Sequence, residues 1–156
     1  MHAKMNTRKL FKAIAKSRNV FVDANVIIDY LLSRKHHTRY ATALFEQAPL
    51  FSEILHVCSY SFAIAYHRLR NENIPHKFAI SVLEKMFQKV NILSVNDIII
   101  QQALKSGFMD FEDAVQYFSA LQIPECDAII TRNPNDFALS SVFVTTPQEF
   151  SSKFRA

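Results

Sequence analysis

The stretch Val20-Phe21-Val22-Asp23-Ala24-Asn25-Val26-Ile27-Ile28-Asp29-Tyr30-Leu31-Leu32 changes its period in the middle. Val20 to Ala24 is a short β-branched and aromatic run, whereas Val26, Ile27 and Ile28 with Tyr30, Leu31 and Leu32 recur at helical spacing. A strand therefore delivers Asp23 to its carboxyl end and feeds directly into a helix. The same device repeats along the chain. Tyr40, Ala43, Leu44 and Ala48 continue helix as far as Pro49, and Ile54 to Cys58 is the next apolar run. Residues 59–72 and 76–89 read as two helices parted at Ile74-Pro75, with Phe78, Val82, Leu83 and Phe87 on one stripe. Val90 to Val95 is a third strand, Asn96 caps the helix after it, and Gly107 is placed as that helix's carboxyl cap. Phe111, Ala114, Val115, Phe118 and Leu121 make 110–122 an amphipathic helix ending before Pro124. Ala128 to Thr131 and Val142 to Thr145 are the last strands, followed by the cap-and-proline pairs Asn133-Pro134 and Thr146-Pro147.

Strands alternating with helices predict an α/β fold: a three-layer α/β/α sandwich around a central parallel sheet of about five strands. The 156 residues, 49% of them apolar, suffice for one core, and the expected division is one domain over 19–156 behind a basic N-terminal extension over 1–18. The net charge is +4, and Lys4, Arg8, Lys9, Lys12, Lys16 and Arg18 all precede the first acid. That arm suits a polyanion, while Leu10, Phe11 and Ile14 between its lysines offer an apolar face for docking onto the body or a second subunit.

A single glycine, Gly107, excludes Gly-rich phosphate cradles and dinucleotide fingerprints, which need several. Cys58 and Cys126 are too few for a disulfide framework or a four-cysteine zinc site and read as reduced core thiols. No run approaches ~20 apolar residues and no secretion signal is evident, so a cytoplasmic protein without a membrane segment is expected. His36, His37 and His67 lack cysteine or histidine partners at ligand spacing and read as exposed or packed side chains.

In parallel sheets functional groups gather at the carboxyl ends of strands. Here they are mostly carboxylates: Asp23 after the first strand, Asp110 and Asp113 opening the long helix, and Asp136 after the fourth strand. Such a set repels itself without a cation, and hard oxygen ligands suit Mg²⁺ or Mn²⁺. Each acid also has a plainer reading. Asn133 and Asp136 serve as helix caps, Asp110 and Glu112 as first-turn charges on a helix dipole, Asp29 as a solvated residue or a partner for Arg34, and Thr131 as a strand-end hydrogen bonder.

Phe21-Val22-Asp23-Ala24-Asn25-Val26, Asp110-Phe111-Glu112-Asp113-Ala114-Val115-Gln116-Tyr117 and Asp127-Ala128-Ile129-Ile130-Thr131-Arg132-Asn133-Pro134-Asn135-Asp136-Phe137 resemble, in order and spacing, the three signatures of PIN-domain proteins. The resemblance spans about residues 19 to 150. It implies a metal-dependent ribonuclease acting on single-stranded RNA, frequent homodimers, and often the toxin of a toxin-antitoxin pair, of the VapC type, held by a small antitoxin. Carried over by position, Asp23 matches the first metal-binding aspartate, Asn25 its supporting asparagine, and Asp113 the aspartate of the long helix. Asp110 and Glu112 belong to a subgroup's extra acids, and Asp110, one turn before Asp113, is the better ligand candidate. The last acid of the pattern falls on Asn133 or Asp136, of which only Asp136 is ionised.

The ligand set is thus Asp23, Asp110, Asp113 and Asp136, supported by Asn25, Asp29, Glu112, Thr131 and Asn133. Arg132, Arg34, Lys35 and Arg39 are candidate RNA contacts, and Tyr30, Tyr66 and Phe108 candidate platforms for bases. Ser59 to Leu69 contains no acid where many PIN nucleases carry a glutamate, and Asp29 replaces that charge only if it turns inward. The competing expectation is a PIN module that binds RNA or a protein partner without catalysis.

Overall fold

The computed structural model describes residues 17–33 and 36–155; the basic arm as far as Lys16, with Arg34 and Lys35, lies outside them. The strands are β1 (Arg18–Val22), β2 (Glu53–Cys58), β3 (Asn91–Leu93), β4 (Cys126–Ile130) and β5 (Val144–Thr145), in the order β3-β2-β1-β4-β5. Every pairing is parallel. The helices are α1 (Ala24–Leu32), α2 (Thr38–Gln47), α3 (Tyr60–Asn71), α4 (His76–Phe87), α5 (Asp97–Leu104), α6 (Phe111–Ala120) and α7 (Pro147–Phe154). Single 3₁₀ turns occupy Ala48–Phe51 and Pro134–Phe137. The expected α/β architecture with a five-stranded parallel sheet is what the chain forms.

The period of two along the strands sorts the core into its layers. Val20, Val22, Leu55, Val57, Ala128 and Ile130 pack on one side with residues of α1, α2, α3, α4 and α7. Phe21, Cys58 and Ile129 pack on the other with Tyr117 and Ala120 of α6 and with Phe137. Because β1 is central and the order turns outward on either side of it, the crevice beyond the ends of β1 and β4 is a topological switch point.

Some local expectations shift. β1 stops at Val22, and Asp23 is already the N-cap of α1. Gly107 does not cap a helix in the left-handed region: α5 ends at Leu104, and among the described residues Ser33, Ser52 and Asn73 are those with positive φ. Asn133 makes no side-chain cap bond, although Pro134 does open the turn after it. Thr146 forms a full capping box with Glu149, and Asn96 accepts from Ile99 N–H as expected.

At the amino edge of the sheet, Glu53 is buried between two arginines. Arg155 from the end of α7 bonds it and the carbonyls of Ala43 and Leu44, while Arg18 Nη1 lies 3.2 Å from Glu53 Oε1. Truncating one partner of a buried pair strands the other charge. Arg155→Ala is expected to cost about 3 kcal/mol in urea denaturation, against well under 1 kcal/mol for removing the exposed Lys89 partner of Glu46.

Candidate active site

Asp23 is only 1% exposed, an unusual position for a carboxylate at a strand end. Its backbone N–H extends the sheet by donating to Ile130 O at 2.9 Å. Oδ1 accepts from Asn25 N–H at 3.4 Å, and Oδ2 accepts from the Thr131 hydroxyl at 2.7 Å. Thr131 in turn accepts from Asn133 N–H at 3.2 Å, so the loop after β4 is wired to the end of β1. Burial nevertheless pushes the Asp23 carboxyl above the usual range, opposed by the Thr131 hydrogen bond, the nearby Gln116 amide, the Asn25 N–H and the positive field of Arg132.

The N-terminus of α6 brings the next acids. Asp110 caps the helix, its Oδ1 accepting from Glu112 N–H at 2.8 Å and Asp113 N–H at 3.2 Å. Asp113 is pushed up to about 7, first by burial and then by the charges of Asp23, Asp110, Asp136 and Glu112. Glu112 is raised by burial, Asp23 and Asp110. The candidates from β1, α6 and the turn after β4 therefore share one electrostatic field. Among the described residues no three histidine, cysteine or acidic side chains are arranged to enclose an ion together. The donor chemistry fits a hard divalent cation: a buried carboxylate, a second one raised by burial and by like charges, and oxygen atoms only.

Three supporting assignments look different in place. Asp29 does turn inward and is buried, but toward Arg132: Oδ2 lies 3.3 Å from Arg132 Nε. It does not figure among the charges acting on Asp113. Arg132 is correspondingly engaged by Asp29; Arg34, the partner expected for Asp29, lies outside the described residues with Lys35. Arg39 is exposed and stacks over Tyr40, with its guanidinium carbon 5.5 Å from the ring centre. The aromatics named as platforms are occupied as well. Tyr30 stacks on Phe45 and donates to Glu46, Tyr66 bonds His76, and Phe108 packs with Tyr117, Phe118 and Phe137. Cys58, at the end of β2, is buried with its thiol pushed up by burial, in keeping with an inert core position.

Gln116 is the residue that sequence reasoning passed over. It is fully buried on α6, one turn after Asp113, and its Oε1 accepts from Ala24 N–H at 2.7 Å. Nε2 makes no hydrogen bond of good geometry, but the amide bears on Asp23 and lowers its pKa. A fully polar side chain within the apolar stripe of α6 was the available signal. Gln116→Leu strands the Ala24 N–H and is expected to destabilise the protein by about 1–3 kcal/mol, read by chemical denaturation.

The pH dependence follows from Asp113. With a folded value near 7 and an unfolded reference of 3.8, the folded state binds the extra proton between them, so this group's contribution to stability falls as pH rises from about 4 to 7. In metal-free buffer Asp113→Asn is expected to flatten the decline and to be more stable than the parent at pH 7.5. Urea midpoints at pH 4.5 and 7.5 decide it, and equal slopes for the two proteins would contradict the shared field.

No curated protein matches the sequence. A chain in the crystal structure of VapBC2 from Rickettsia felis bound to a DNA fragment from their promoter has a similar fold. Its TM-score is 0.58 over 82% of this chain and 98% of that one, at 9% identity, so the likeness is one of fold alone. The family model of the PIN domain matches residues 19–135, taking in β1 through the turn that carries Asn133. With most of its length covered by that match and its sheet built as described, the chain belongs to the PIN domain family.

Proposed function

We propose that the chain is a metal-dependent endoribonuclease that hydrolyses single-stranded RNA. The observation that carries the reading is that Asp23, Asp110, Asp136 and Glu112 all bear on Asp113, whose carboxyl is pushed up to about 7 first by burial and then by these charges. Asp23, Asp110, Asp113 and Asp136 would hold Mg²⁺ or Mn²⁺, which supplies Lewis acidity toward a water nucleophile and neutralises charge building on the scissile phosphate. Thr131 and Asn25 fix the Asp23 oxygens, and Gln116 ties the start of α1 to α6 so that Asp23 and Asp113 keep their relation. Asn133 supports through its backbone N–H on Thr131. Asp29 acts at one remove, by holding Arg132, whose positive field reaches Asp23.

Membership of the family and the fold shared with the VapBC2 chain support a place as the toxin of a toxin-antitoxin pair, with a small antitoxin as partner. Exposed Phe78, Phe87, Leu104 and Phe111 are consistent with a homodimer or an antitoxin contact. Among the described residues no helix is long and apolar enough to cross a membrane, in line with action in the cytoplasm.

One observation favours the rival, a PIN module that binds without cutting: α3 carries no acid facing this site. Cleavage of a single-stranded RNA with added Mn²⁺ separates the two. The parent is expected to cut only with the ion, and Asp23→Asn to fall to the metal-free level. RNA binding by the parent with no Mn²⁺-dependent cleavage would establish the rival instead.

A further inference from the structure

The face of α3 that lacks an acid borders a groove of about 450 Å³. Asn25 and Glu112 line it together with Tyr60, Ile64, His67 and Arg68 of α3. Asn25 N–H bonds Asp23, and Glu112 directly precedes Asp113, so the groove opens onto the carboxylate edge. Residues 60, 64, 67 and 68 fall at i, i+4, i+7 and i+8, which places them on one face of α3. Tyr60 is 45% exposed, and His67 and Arg68 are exposed. The aromatic and the guanidinium therefore stand on the same face, separated by about 12 Å of helix rise. Tyr30, Tyr66 and Phe108 are packed or hydrogen bonded, and Arg132 is held by Asp29, so this face sets an exposed ring and an exposed cation together beside the site.

We infer that this groove seats the RNA strand on one side of the cut, with a base stacked on Tyr60 and a backbone phosphate paired with Arg68. The inference rests on the nuclease reading for its ligand. The groove's own chemistry agrees with it: a ring with an exposed face binds any base, and a guanidinium forks onto phosphate oxygens. Asn25 and Glu112 link this track to the ion-binding acids, and the place of the family glutamate is left to a helix face that contacts substrate. His67 stands beside Arg68 as a second donor.

The test is fluorescence anisotropy of a labelled single-stranded RNA dodecamer in EDTA, run across a salt series, with Mn²⁺-dependent cleavage measured separately. Tyr60→Ala is expected to weaken binding about ten-fold and Tyr60→Phe to restore most of it. Arg68→Ala is expected to flatten the slope of log K against log salt by about 0.7, the share of one single-strand phosphate. Both side chains are exposed, so the variants keep the parent's melting temperature. Parent-like RNA affinity in Tyr60→Ala and Arg68→Ala would overturn the inference, and if self-association weakened at the same time the groove would belong to a second copy of this chain. If the parent cuts RNA and these variants bind normally, the groove assignment fails while the nuclease reading stands. If the parent never cuts but binding falls as described, the groove stands and the nuclease reading fails.

Discussion

The hydrogen bond from Thr131 to Asp23 sits where the central strand ends, and the surrounding structure is organised around the charge it holds. A carboxylate removed from water raises the free energy of its ionised form, and every neighbour of Asp23 either offsets that cost or exploits it. The Thr131 hydroxyl, the Asn25 N–H and the Gln116 amide supply dipoles, and Arg132 adds a positive field kept in place by Asp29. Close by, the acids of α6 and Asp136 bear on Asp113, and of them Asp110 also caps the helix. A fold selected for stability alone would separate these groups; keeping them together points to a ligand of opposite charge.

The strands, the helices and the position of Asp23 were legible because their signals are local. The switch of period near Asp23 needs only neighbours in sequence, and so does the Asp110 cap with its acids in the first turn of α6. Pairings across the fold were not legible. Asp29 finds Arg132 only once β4 lies beside β1, which no spacing rule reveals. Gln116 looked like one polar residue in an amphipathic helix, yet the packing of α6 across the end of β1 turns it into the acceptor for Ala24. Gly107 shows the opposite failure. A glycine after a helix suits a left-handed cap, but α5 closes earlier with Lys105 in right-handed backbone, and an added Cβ at Gly107 would meet only Leu139 at 3.4 Å.

The basic side chains divide by the work they do. Arg132, Arg18 and Arg155 are tied to buried acids, so half of the six described arginines serve the structure. Net charge is a poor guide to where a polyanion would lie on this domain. The exposed cations that remain near the carboxylates, above all Arg68, carry more information than the total of +4.

Arg18 opens β1 and Arg155 follows α7, and both meet on Glu53. The path of the described chain thus returns to its own starting point, at the pole of the sheet away from Asp23. Such a ring closed by one acid is a favourable template for circular permutation: a short linker could join residue 155 to residue 18, and new ends could be opened in an exposed turn such as that around Asn73. The carboxylate pole would keep its connectivity. Arg18 and Arg155 both lie at the opposite pole, away from the carboxylates.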